Sequence, residues 1–122
     1  MDGAIAANTP VRLAAELGAS RIIILPTGYA CALKEPPRTV IGKALHAITL
    51  MIAWQLMYEL ERLPEDVQVH LVPTLCPLDV SPFDFSASRD LIERAAQSSK
   101  EWIEEGGLTR RACANELAPH RH

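Results

Sequence analysis

Four aliphatic residues in a row, Ile22-Ile23-Ile24-Leu25, stand between Arg21 and Pro26. A β-branched run without polar alternation predicts a strand covered on both faces, as in a parallel sheet. Upstream, Thr9 to Gly18 reads as a short helix. Thr9 can cap it, Pro10 suits the first helical position and Gly18 stops it, with Leu13, Ala14 and Leu17 as an apolar stripe. Thr39 to Leu63 is the longest periodic segment. Leu45, Ile48, Ile52, Leu56 and Leu60 recur every three or four residues, and Ala44, Met51, Ala53 and Trp54 widen the apolar face. That pattern predicts a helix buried over most of its circumference in its middle turns.

Pro64-Glu65-Asp66 then turns the chain into Val67 to Pro73, where Val67, Val69 and Leu71 alternate with Gln68, His70 and Val72. The alternation predicts a half-covered strand near a sheet edge. Residues 27–38 and 74–85 carry the prolines and read as loops. Ser86 can cap a last helix running to about Glu105, with Leu91, Ala95 and Trp102 on one face and Gly106-Gly107 as its stop. Residues 108–122 show no periodicity and are expected to form a disordered tail.

Helix, strand, helix, strand, helix is the order of an α/β layered fold. Two strands do not cover three helices, and an inner strand such as Ile22 to Leu25 needs a neighbour on each side. Residues 1–107 therefore read as the end of a larger domain. An exposed edge on that strand predicts that the isolated chain associates or aggregates.

Composition narrows the choices. The 122 residues are 48% hydrophobic and 22% charged, enough for a core and too apolar for disorder. A net charge of −3, from 12 Lys+Arg against 15 Asp+Glu, leaves no basic face for phosphate, so no nucleic-acid partner is expected. Only 15 residues separate Lys43 from Glu59, with His46, Thr49 and Gln55 among them, whereas a bilayer span needs ~20 apolar positions. No transmembrane span is expected. Cys31, Cys76 and Cys113 form no C-x-x-C pair. No disulfide framework is expected and a reducing, cytoplasmic compartment is the default, Cys76 reading as an apolar filler.

Asp2-Gly3-Ala4 is the stretch with most chemical content. It precedes a capped helix and an apolar strand, so its carboxylate would sit on a loop near the sheet, where it can act as a base. Asp-Gly is equally a common turn pair. The wider run is Asp2-Gly3-Ala4, then Asn8-x-Pro10, Gly18-Ala19 and Ile22 to Gly28, with Phe83-Asp84-Phe85-Ser86 and Leu91-Ile92 later on. As a set it resembles the C-terminal part of bacterial patatin-like phospholipases, across about Asp2 to Gly107.

That resemblance implies the end of a three-layer α/β/α domain, here two strands with three helices, in an acyl hydrolase acting on lipid or other esters. It implies a Ser–Asp dyad without histidine and without a cofactor. The serine of a G-x-S-x-G elbow attacks the ester carbonyl, an Asp takes its proton, and a Gly-rich loop holds the oxyanion. Asp2 matches the base, with Gly3, Asn8 and Pro10 as motif support. The enzyme would be cytoplasmic or peripheral to a membrane.

The departures from the family are equally clear. No G-x-S-x-G and no Gly-rich oxyanion loop occur here. Gly18-Ala19-Ser20-Arg21-Ile22 lacks the last Gly and leads into a strand, whereas an elbow leads from a strand into a helix. A base without nucleophile or oxyanion donors cannot run the dyad chemistry, so the chain is expected to be inactive alone. An upstream polypeptide, a longer reading frame or self-association would have to complete it. The alternative is a non-catalytic α/β module that docks a partner or membrane surface through the apolar helix 39–63.

Other candidates are weaker. His46 and His70 lack metal-ligand spacing and read as core or edge histidines, and His120 and His122 lie on the tail, so no metal site is expected. Asp79 and Asp84 rival Asp2 as bases but read as turn and cap residues. Glu59-x-Glu61-Arg62 reads as a solvated helix end. Thr27-Gly28-Tyr29 lacks the Gly-Lys of a phosphate loop.

Overall fold

A computed structural model describes residues 7–26, 37–76, 78 and 85–117. The predicted order holds: α1 (Val11–Glu16), β1 (Arg21–Ile24), α2 (Val40–Glu61), β2 (Gln68–Leu71) and α3 (Ser88–Glu104). Short 3-10 turns stand at Phe85–Ala87, Gly107–Thr109 and Ala114–Leu117. The fold is mixed α/β, helices around a two-stranded parallel sheet in which Ile22 pairs with Val69 and Ile24 with Leu71. The ladder extends past both strands, as Gln68 donates its N–H to the Ser20 carbonyl and Val72 donates to Ile24.

Helix ends follow local chemistry. Gly18 terminates α1 in the left-handed region at φ +94°, where glycine carries no Cβ penalty. Thr39 caps α2, its hydroxyl accepting the Gly42 N–H at 3.0 Å. At the other end Arg62 stacks on Tyr58, 3.4 Å from the ring centroid. The last helix starts later than expected, with Ala87 rather than Ser86 at its N-cap and no side-chain cap bond. It ends at Gly106, φ +82°.

The core joins Val11 of α1, Ile24 of β1, Leu56 and Leu60 of α2, Val69 and Leu71 of β2, and Leu117. Burying each such side chain is worth about 1.5–3 kcal/mol. Helix α1 meets this core through Val11 and Ala15, leaving Leu13 and Leu17 exposed, so the expected Leu13–Ala14–Leu17 stripe is not its inner face.

The burial of α2 differs most from expectation. Of its 22 residues only Ala53, Leu56 and Leu60 are buried, all in the second half. By length and composition the helix could cross a membrane; in the folded chain one narrow stripe meets the core, Met57 packs beside it, and much of the remaining apolar surface is open. Spacing shows which residues are apolar but not how many layers surround them.

Both strands also depart from expectation, in opposite directions. Strand β1 was expected to be covered on both faces, yet Ile24 is buried, Ile22 half-buried and Ile23 exposed. Its outer edge has no strand partner among the described residues. Strand β2 was expected half-covered, yet His70 and Val72 are buried along with Val69 and Leu71.

The cover for β2 comes from residues expected to be a loose tail. Ala112 donates its N–H to the Val69 carbonyl at 2.7 Å, and the His70 ring bonds the Arg110 carbonyl. The Arg111 guanidinium donates to the carbonyls of Leu63, Pro64 and Glu65, and Leu117 enters the core. Residues 110–117 therefore belong to the folded unit, held by backbone and guanidinium bonds that leave no hydrophobic period to read.

Candidate functional site

In open α/β sheets ligands approach the carboxyl ends of the strands. Here the residues just beyond those ends, Leu25-Pro26 after β1 and Val72 to Leu75 after β2, face Leu91, Ala95 and Ser99 of α3 across a groove of about 340 Å³. That volume stands at the small end of ligand pockets, about 300–1,000 Å³. The expected inner face of α3 is the face that lines it. Leu91 and Ala95 are half-buried there, while Trp102, two turns beyond Ala95, is buried. The two prolines deny the strands any further ladder bonds, and so the chain opens into the groove walls at this level.

The lining is aliphatic apart from Ser99 and Thr74. It suits an alkyl or acyl chain by dispersion and burial. Ser99 has no hydrogen bond to an acid or imidazole among the described residues. It is not an activated nucleophile, because that requires a base within hydrogen-bond reach.

A second depression, about 420 Å³, flanks β1 and is lined from 8–14 and 22–26 with no residue of β2. Because α1 runs back along β1, the turn Asn8-Thr9-Pro10 stands at the carboxyl end of that strand, beside Leu25 and Pro26. Of the sequence candidates, Asn8 and Pro10 are thus brought to the strand end. Asp2, Gly3, Gly28, Asp79 and Asp84 lie outside the described residues, as do Cys31, His120 and His122.

His70 is the buried histidine the sequence suggested. Its Nδ1 donates to the Arg110 carbonyl at 3.0 Å, and its Nε2 is buried and without a partner among the described residues. His46, on α2, is half-buried. Among the described residues no three His, Cys, Asp or Glu side chains cluster as a metal site. Cys76 is disulfide-bonded, against its expected role as a filler, while Cys113 is free and exposed. Spacing alone could not find that bond, since no C-x-x-C pattern marks it.

The groove was absent from the sequence reading, although Leu91, Ala95 and the prolines after each strand were all noted. What was missing is that α3 stands off the sheet instead of sealing it. No family model, curated protein or solved structure matches the chain.

Proposed function

We propose that the chain is the base-bearing end of a patatin-type serine acyl hydrolase, a three-layer α/β/α domain completed by a segment that supplies the nucleophile and oxyanion donors. Asp2 takes the proton of that serine as its oxygen attacks an ester carbonyl, passes it to the departing alcohol as the acyl-serine forms, then takes a proton from the water that releases the acid and returns it to the serine oxygen. The apolar groove at the strand ends receives part of the acyl chain.

The observation that carries this reading is the position of the Asn8-to-Pro10 turn. The motif that follows Asp2 in the sequence stands at the carboxyl end of β1, beside a depression that no residue of β2 lines. A strand added in parallel along β1 would pair its free edge and bring its own carboxyl end next to that turn. The Asp2-Gly3-Ala4, Asn8-x-Pro10 and Gly18-Ala19 run supplies the chemical class.

The test joins the chain to the coding segment immediately upstream. The reading expects an in-frame G-x-S-x-G there, turnover of a p-nitrophenyl ester by the joined protein, and loss of at least about 10³-fold in kcat for Asp2→Asn with the circular dichroism unchanged. Unchanged turnover removes Asp2 as the base. An upstream segment without the serine motif removes the acyl-hydrolase reading.

A second reading, the non-catalytic docking module, is favoured by α2, whose apolar surface stays largely open. It predicts binding that does not respond to any change at Asp2.

A further inference from the structure

The outer face of α2, turned away from Ala53, Leu56 and Leu60, is neither polar nor irregular. Val40, Ala44, Ala47, Met51, Trp54 and Tyr58 follow one another at spacings of four, three, four, three and four. That is the 3.5-residue period of a helix–helix seam, not of a solvated surface. Val40, Met51, Trp54 and Tyr58 keep 83%, 70%, 68% and 53% of their surface exposed. A layer added along β1 would not cover this face, because the core stripe that meets the sheet lies on the opposite side of the helix.

The order of sizes along the seam selects the occupant. Its first half is small (Val40, Ala44, Ala47) and its second half is large (Met51, Trp54, Tyr58). We propose that a second copy of this chain packs here, α2 against α2 in antiparallel, two-fold symmetric fashion. Symmetry then sets Val40 against Tyr58, Ala44 against Trp54 and Ala47 against Met51 of the other copy. Each layer joins a small residue to a large one, as close packing requires.

A parallel pair would set Trp54 on Trp54 and leave Ala44 facing Ala44, crowded at one end and empty at the other. Charge agrees with the antiparallel sense. Arg38 and Lys43 stand at the start of α2, while Glu59, Glu61, Glu65 and Asp66 outnumber Arg62 at its end, so two-fold pairing sets a positive end beside a net negative one whereas parallel pairing aligns like ends.

The seam runs about 27 Å along the axis. One helix face is a small part of the ~800 Å² that each partner buries in a standard interface, which suits a transient dimer. This inference does not depend on the acyl-hydrolase reading.

Sedimentation of the chain between about 1 and 200 μM tests it. The expected result is a rise from 13.4 kDa to twice that mass, with Met51→Glu holding the chain at 13.4 kDa across the range and leaving its thermal unfolding unchanged. In a Cys113→Ser background, a short bis-maleimide should link Ala47→Cys chains to Met51→Cys chains when the two are mixed, well above either variant alone. Overturning results are a wild-type chain that stays monomeric, a dimer indifferent to Met51→Glu, open-ended oligomers growing through the β1 edge, preferential linking of Ala47→Cys to itself, or a chain that is monomeric in solution and binds only lipid vesicles.

Discussion

Gly107 lies so close beneath the indole of Trp102 that a Cβ on residue 107 would overlap the ring at Cδ2, Cε2 and Nε1. The ring is buried and rigid, so it cannot yield as the far end of a flexible side chain would. This contact closes the end of α3 over the 3-10 turn that follows and starts the segment that covers β2.

Gly107→Ala should therefore destabilise the chain by about 1–3 kcal/mol, the cost of overpacking. In a Trp102→Ala background, itself costing about 3–5 kcal/mol, the same change should cost less than half as much. Urea unfolding of the four proteins measures the coupling. Additive effects would mean that Gly107 matters for some reason other than the ring.

The open surface of α2 makes position on the helix decisive. Leu56→Ala removes a side chain from the core and should cost about 2–5 kcal/mol. Leu45→Ala, on the exposed first half, should stay within about 0.5 kcal/mol. Equal losses in thermal unfolding would indicate that the first half of the helix is packed after all.

Arg111 bridges the turn after α2 through three carbonyls, while Ala112 caps the free edge of β2 at Val69. Arg111→Ala should speed amide exchange at Ala112 and in β2 and cost about 1–3 kcal/mol. Ending the chain after Thr109 should cost more, since Leu117 leaves the core too. Unaltered exchange in β2 would show that residues 110–117 do not hold the strand.

Element order, the parallel pairing and the Gly18 and Gly106 signals were legible in the sequence because each rests on local chemistry. Burial was not. Ile22 to Leu25 reads as a doubly covered strand, yet Ile23 is exposed, since a run of isoleucines reports what a strand is built for and not which neighbours stand beside it. The wide apolar face of α2 concealed two separate stripes, one meeting the core and one at seam spacing. Leu13 and Leu17 misled in the same way, Val11 and Ala15 being the residues of α1 that reach the core. The segment around Ala112 was illegible for the opposite reason, because its anchors are main-chain bonds and one guanidinium.

Asn8 and Pro10, named through the family resemblance, line a depression with Leu25 and Pro26, whereas the groove, which the sequence did not reveal, exists only because α3 stands away from Val72 and Leu25. No periodicity encodes a gap.

Ester turnover by the purified chain, with and without a separately expressed upstream segment carrying G-x-S-x-G, tests the central claim most directly. Alone, the chain should hydrolyse a p-nitrophenyl ester no faster than buffer; together the two should turn over, and Asp2→Asn in the chain should abolish it. Enzyme-like turnover by the chain alone, or reconstituted turnover indifferent to Asp2→Asn, would contradict the account.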